Sequence, residues 1–238
     1  HSQTSHVLLP LEDFDGFLRI ARRYGTPGSL TLVGGEMEFL HREVSGPARQ
    51  VWQGDFGKAI TAADSFAARL APQDSPDSFL RVGATVGIRR LRFTTASGLD
   101  RITGEQNVAL GSEAKLTVGR AVTTWGTSGS HNYGRFEGFL GGEHGPVLAV
   151  TSMLAEGRYR DAGSGESPWR DLEFSGHALI YVQPQGSTTH TFVTGTHFWL
   201  HDNIDQPHQL ALGGEEGVRS YRDVEVPTGS SVVAFAEH

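Results

Sequence analysis

The sequence predicts an all-β protein, part of an up-and-down antiparallel transmembrane β-barrel, on three observations. Apolar and polar residues alternate with a period of two in most segments from residue 79 onward. The alternating runs span roughly 9–14 residues, whereas a tilted membrane strand needs about 9–11 and soluble strands average about 5–6. The connections are uneven, short at 184–188 and long at 157–171 and 201–229, as in barrels with short turns at one end and long loops at the other.

Segment 29–41 alternates weakly. In 58–70, KAITAADSFAARL, Ile60, Ala63, Phe66 and Leu70 recur at helical spacing, which predicts a short helical loop insert. Segment 79–93, FLRVGATVGIRRLRF, is the clearest strand. Leu80, Val82, Ala84, Val86 and Ile88 form one face, and Arg81, Gly83, Thr85, Gly87 and Arg89 the other. In a membrane barrel the aliphatic face meets lipid and the Arg, Gly and Thr face lines water; in a soluble sandwich the aliphatic face packs inward. In 113–120, Ala114, Leu116 and Val118 oppose Glu113, Lys115 and Thr117. Segment 145–156 is a weaker member. In 173–182, Phe174, Gly176, Ala178, Ile180 and Val182 oppose Glu173, Ser175 and His177. In 190–200, Phe192, Thr194, Thr196, Phe198 and Leu200 oppose Thr191, Gly195 and His197, and SSVVAFAEH at 230–238 closes the series. Turn signals at Thr26-Pro27-Gly28, Gly46-Pro47, Gly163-Ser164-Gly165 and Pro184-Gln185-Gly186 separate the runs. Trp125, Tyr133, Phe136, Tyr159, Trp169, Trp199 and Tyr221 fall mostly near strand ends, where an interfacial girdle would place them. Residues 1–238 are thus expected to form a single β-barrel domain.

Composition narrows the function classes. No apolar run approaches the roughly 18 residues of a spanning helix. A net charge of −7 argues against nucleic acid as a partner, and the absence of cysteine removes disulfides and thiolate metal sites. The opening His1-Ser2-Gln3 has neither the basic nor the apolar stretch of a leader. Metal binding at His190, His197, His201 and His208 is not expected. On a strand His197 and His201 share a face but lie about 13 Å apart, and His190 points the other way. Gly126-Thr127-Ser128-Gly129-Ser130 lacks the last glycine of a nucleophile elbow. Glu12-Asp13 and Glu215-Glu216 are adjacent loop carboxylates, not a glycosidase pair. No helix follows Gly141–Gly145 to make a phosphate cradle. The expectation is a protein that is not an enzyme and needs no cofactor.

The most distinctive stretch is 210–222, LALGGEEGVRSYR. Together with 101–120, RITGEQNVALGSEAKLTVGR, and 133–142, YGRFEGFLGG, it resembles the bacterial outer-membrane surface-antigen barrels. That superfamily includes the BamA-type assembly factors and the haemolysin-secretion activators of two-partner systems. Its members are sixteen-stranded barrels whose long sixth loop carries a V-R-G-[FY] motif. Val218, Arg219 and Tyr221 match it, and Ser220 stands where the motif has glycine. The resemblance implies an outer-membrane location, contact with outer-membrane lipid and a client protein, and a role in protein insertion or secretion. It implies that Gly213, Gly214, Gly217, Val218, Arg219, Tyr221 and Arg222 form a loop tucked into the lumen, with Arg219 paired to an acid and Glu237 as a supporting acid. A guanidinium carried into a lumen loses water and needs a carboxylate partner, which suits the pairing. The resemblance also implies that the chain is a fragment, because His238 falls partway through the strand after the loop. The alternative is a soluble all-β binding domain, a sandwich or lipocalin-like barrel for a small or apolar ligand, with its aliphatic faces inward.

Overall fold

A computed structural model describes residues 5–8, 11–44, 49–52, 60–61, 77–99, 104–122, 130–160, 167–184, 191–202, 210–211, 225–226 and 230–237. All the regular structure among them is strand. The elements are β1 (Ser5–Leu8), β2 (Leu11–Thr26), β3 (Ser29–Val44), β4 (Arg49–Trp52), β5 (Ile60–Thr61), β6 (Asp77–Ser97) and β7 (Glu105–Val122). They continue as β8 (His131–His144), β9 (Val147–Tyr159), β10 (Trp169–Val182), β11 (Phe192–Asp202), β12 (Leu210–Ala211), β13 (Glu225–Val226) and β14 (Ser230–Glu237).

Nine strands form one antiparallel sheet in the order β14-β11-β10-β9-β8-β7-β6-β3-β2. Each pairs with its neighbour in sequence once the small sheets β1-β4-β5 and β12-β13 are set aside, so the connectivity is an up-and-down meander. The all-β, antiparallel expectation therefore holds. Among the described residues no pairing links β14 to β2, and the sheet is open between them. Connections at one end of the strands cover 27–28, 98–104, 145–146 and 183–191; at the other they cover 45–76, 123–130, 160–168 and 203–229. Contacts group the chain into two compact units, one of residues His1–Leu18, Glu36–Val82 and Ala121–Ser130, the other of Arg19–Gly35, Gly83–Arg120 and His131–His238.

The strands follow the anticipated runs but extend further. Segment 79–93 becomes the 21-residue β6, long enough to cross a bilayer core with residues to spare. Within the nine-stranded sheet, two strands, β2 and β8, are not foreseen from alternation. In β8, HNYGRFEGFLGGEH, three glycines, Gly134, Gly138 and Gly142, interrupt the apolar side and blur its period. The helix expected at 58–70 is not seen where the segment is described. Ile60 and Thr61 are strand β5, paired with Gln50 and Arg49 of β4, an extended environment that β-branched side chains suit. The rest of that segment lies outside the described residues.

Alternation in β6 breaks after Arg89. Arg89 pairs with Glu113 and Arg92 with Glu143, two acids of the same sheet face, so an extra residue lies between the two arginines. Facing it, β7 shifts at Gly111. Leu110 packs on Leu148 and Tyr181, while Lys115 reaches Glu137, again on one face but with opposite parity. Gly111 has φ of 115°, the left-handed geometry of a bulge that glycine adopts without a Cβ penalty. A second bulge lies between Arg170 and Glu173, where Asp171 takes φ of 45° and holds Arg158 at 3.1 Å.

Each unit has its own small buried apolar cluster. The first unit buries Leu40, Phe79 and Ala121. The second buries Leu110, Leu148 and Tyr181, flanked by Leu99, Val108, Val150, Leu179 and Val193. Leu99 is brought there by the turn after β6. Gln183 Nε2 donates to the Ser97 carbonyl at 2.6 Å and Thr191 Oγ1 to the Gly98 carbonyl at 2.7 Å.

Candidate functional site: an ionic sheet face

The register sorts side chains onto two faces of unlike chemistry. From β8 to β14 one face carries Arg135, Glu137, Ser152, Glu156, Arg158, Glu173, His177, His197, Trp199 and His201. The opposite face of the same strands carries Phe136, Leu140, Ala149, Met153, Ala155, Phe174, Ile180, Phe198, Leu200 and Val232. Continuing through β7 and β6, Glu113, Lys115, Thr117, Thr85 and Arg89 share the ionic face; Leu116, Val118, Val86 and Ile88 share the apolar one.

Burial runs against the usual pattern of a soluble sheet. In β6, Val82, Val86 and Ile88 are 55%, 48% and 54% exposed, whereas Arg81 and Thr85 are 5% and 2% exposed. Leu116, Val118, Leu140, Ile180 and Val232 are exposed as well. These aliphatic groups thus face away from protein, while Arg81, Thr85 and Thr117 pack toward it and Arg89 and Arg135 stay partly exposed.

The ionic face is held by a chain of paired charges. Arg89 donates to Glu113 at 2.6 Å. Glu137 accepts from Lys115 at 2.5 Å and from Arg135 at 2.7 Å, and Arg135 also reaches Glu156 at 3.3 Å. Tyr133 donates to the same Glu156 carboxylate at 3.1 Å. Thr85 and Thr117 share a buried hydroxyl hydrogen bond at 3.0 Å. Further along, Ser152 and His177 are 3.0 Å apart, and the His177 and His197 rings lie 5.6 Å centre to centre. His201 approaches Glu173 at 3.7 Å. Among the described residues no group of three or more histidines, aspartates or glutamates is placed to hold a metal ion.

In the first unit, buried Arg81 donates to Glu38 at 2.7 Å and lies 4.8 Å from the centre of the Phe79 ring. Removing one partner of a buried pair leaves the other charge uncompensated. Arg81→Ala should therefore cost about 2 kcal/mol, less than a fully buried pair because Glu38 keeps some water contact. Denaturant midpoints of the single variants and of Arg81→Ala/Glu38→Ala measure it. A double variant as unstable as the sum of the singles would rule out the coupling.

Of the residues singled out in sequence, Gly213, Gly214, Gly217, Val218, Arg219, Tyr221 and Arg222 lie outside the described residues. Their flanks are described: Leu210 pairs with Val226 and Ala211 with Glu225. Glu237 sits at the end of β14, opposite Val193 and on the ionic face. The Arg135–Glu137–Glu156 cluster was missed in sequence. Its signal was available in the odd-numbered Arg135 and Glu137 between Gly134, Phe136 and Gly138. Comparisons with protein families, curated proteins and solved structures find no match to this chain.

Proposed function

We propose that this chain forms part of the wall of an outer-membrane β-barrel, its apolar face against acyl chains and its ionic face on an aqueous lumen, and that the barrel inserts or exports other proteins. The observation that carries the membrane reading is the inverted burial of β6, with Val82, Val86 and Ile88 exposed and Arg81 and Thr85 buried. Water is a poor neighbour for so many exposed aliphatic side chains on adjacent strands, whereas lipid costs them nothing. Long strands in sequential antiparallel order suit a bilayer, because every interior strand satisfies its backbone within the sheet. Closure then requires partners for the free edges of β2 and β14.

The membrane reading is tested by purification with and without detergent. The chain should aggregate in plain buffer and become monodisperse, with strand circular dichroism, in detergent micelles. A stable detergent-free monomer would overturn it. The protein-export part of the reading rests on the resemblance of segment 210–222. Arg219→Ala should lower client export or insertion about tenfold, the scale of one lost charge-assisted hydrogen bond. Undiminished transport by a properly inserted variant would remove the role assigned to that loop.

A further inference from the structure

Within the second unit, a cavity of about 580 Å³ opens on the ionic face across β2, β3, β6, β7 and β8. Its size falls in the range of small-molecule sites, roughly 300–1,000 Å³. Four cations line it: Arg19 and Arg23 from β2, Arg89 from β6 and Lys115 from β7. Two carboxylates line it as well, Glu113 and Glu137. Both acids are already engaged. Arg89 holds Glu113 at 2.6 Å, and Glu137 is shared by Lys115 and, from outside the lining, Arg135. The lining thus carries four cations against two carboxylates, in a chain whose net charge is −7.

We propose that this cavity binds small solutes bearing an oxyanion, a phosphate or carboxylate group, and makes the lumen of the proposed barrel prefer anions. Arg19 and Arg23 each lie two residues from Ala21 on one strand, so both aim at the side that Ala21 shares with them. A guanidinium presents a planar fork that matches two oxygens of a phosphate or carboxylate, which an ammonium does not. The opposite wall supplies Arg89 and Lys115, whose acids hold their side chains in place. Small Ala21 and Gly87 leave room between the two walls. Selectivity in pores commonly follows from rings of like charge at close quarters, and this constellation supplies the positive sign.

The consequence for selectivity rests on the barrel reading; binding does not. The test uses the purified full chain in a non-ionic detergent, where no lipid phosphate competes, with inorganic phosphate titrated at low salt. Saturable binding should weaken at least about tenfold in Arg19→Gln/Arg23→Gln. Arg22→Gln is the control: its side chain lies on the other face, 5.1 Å from the Tyr24 ring, and it changes net charge in the same direction. Phosphate affinity in Arg22→Gln should match the parent. Equal binding by the double variant and the parent, or equal weakening by Arg22→Gln, would overturn the site. In planar bilayers under a salt gradient, the parent's reversal potential should show anion preference and the double variant should lose it; a cation-preferring parent would overturn the selectivity. If the chain proves soluble without detergent yet binds phosphate through Arg19 and Arg23, the barrel reading falls and the site stands. If it inserts in bilayers but binds no phosphate, the site falls and the barrel stands.

Discussion

On the proposed membrane reading, Val86→Arg should destabilise the protein in lipid by about 2–4 kcal/mol, the cost of an arginine on the lipid face of a barrel near the bilayer midplane. Val86 is 48% exposed and points away from Arg81, Thr85 and Arg89 on the same strand. In water the same substitution would be nearly neutral, because an exposed arginine is well solvated and little packing is lost. Ile88→Arg, also about half exposed, should behave like Val86→Arg with a cost set by its depth. Urea unfolding from phospholipid vesicles measures both. A loss below about 0.5 kcal/mol for each would mean that neither side chain touches acyl chains.

A still larger effect is expected at Gly111, where substitution should block refolding or cost more than about 3 kcal/mol. Its φ of 115° is closed to a β-branched residue, and a Cβ placed there would lie 2.0 Å from the carbonyl oxygen of Arg90. Both groups belong to backbone, so no side chain can move aside. Gly111→Val strains the bulge that keeps Leu110 and Lys115 on one face. Gly142→Val provides the comparison, since nothing lies within 4 Å of its built Cβ and the position is exposed. Refolding yield and urea midpoint should fall for Gly111→Val and stay at the parent level for Gly142→Val. Equal behaviour of the two would dismiss the bulge as a structural requirement.

Much of the strand content was legible because a strand writes its two faces directly into the sequence, one residue in two. Runs 113–120, 173–182, 190–200 and 230–238 each fall within, or within two residues of, an observed strand. Where the period fails, the reason is local. In β8, Gly134, Gly138 and Gly142 occupy apolar-face positions, leaving little hydrophobic signal. At 58–70 the apolar spacing suits a helix, yet Ile60 and Thr61 pair with β4, since partners from another strand outweigh a weak local preference. The bulges at Gly111 and Asp171 were not anticipated because one extra residue shifts the parity without a fixed motif.

The candidate site was less legible. Arg89, Glu113 and Lys115 were each assigned to a polar strand face while Glu137 was not, and the pairing of all four depends on register, which joins residues far apart in the chain. Arg19 and Arg23 come from β2, a strand the periodicity did not reveal, and they reach the same cavity only through the sheet order β7-β6-β3-β2.

By itself the sequence determined that the chain is built of long strands with one aliphatic and one ionic side, because alternation is a property of neighbouring residues. Only the tertiary structure decided which side turns away from protein and which acid meets which base. Those choices depend on strand order, register and two bulges, and no short segment contains them.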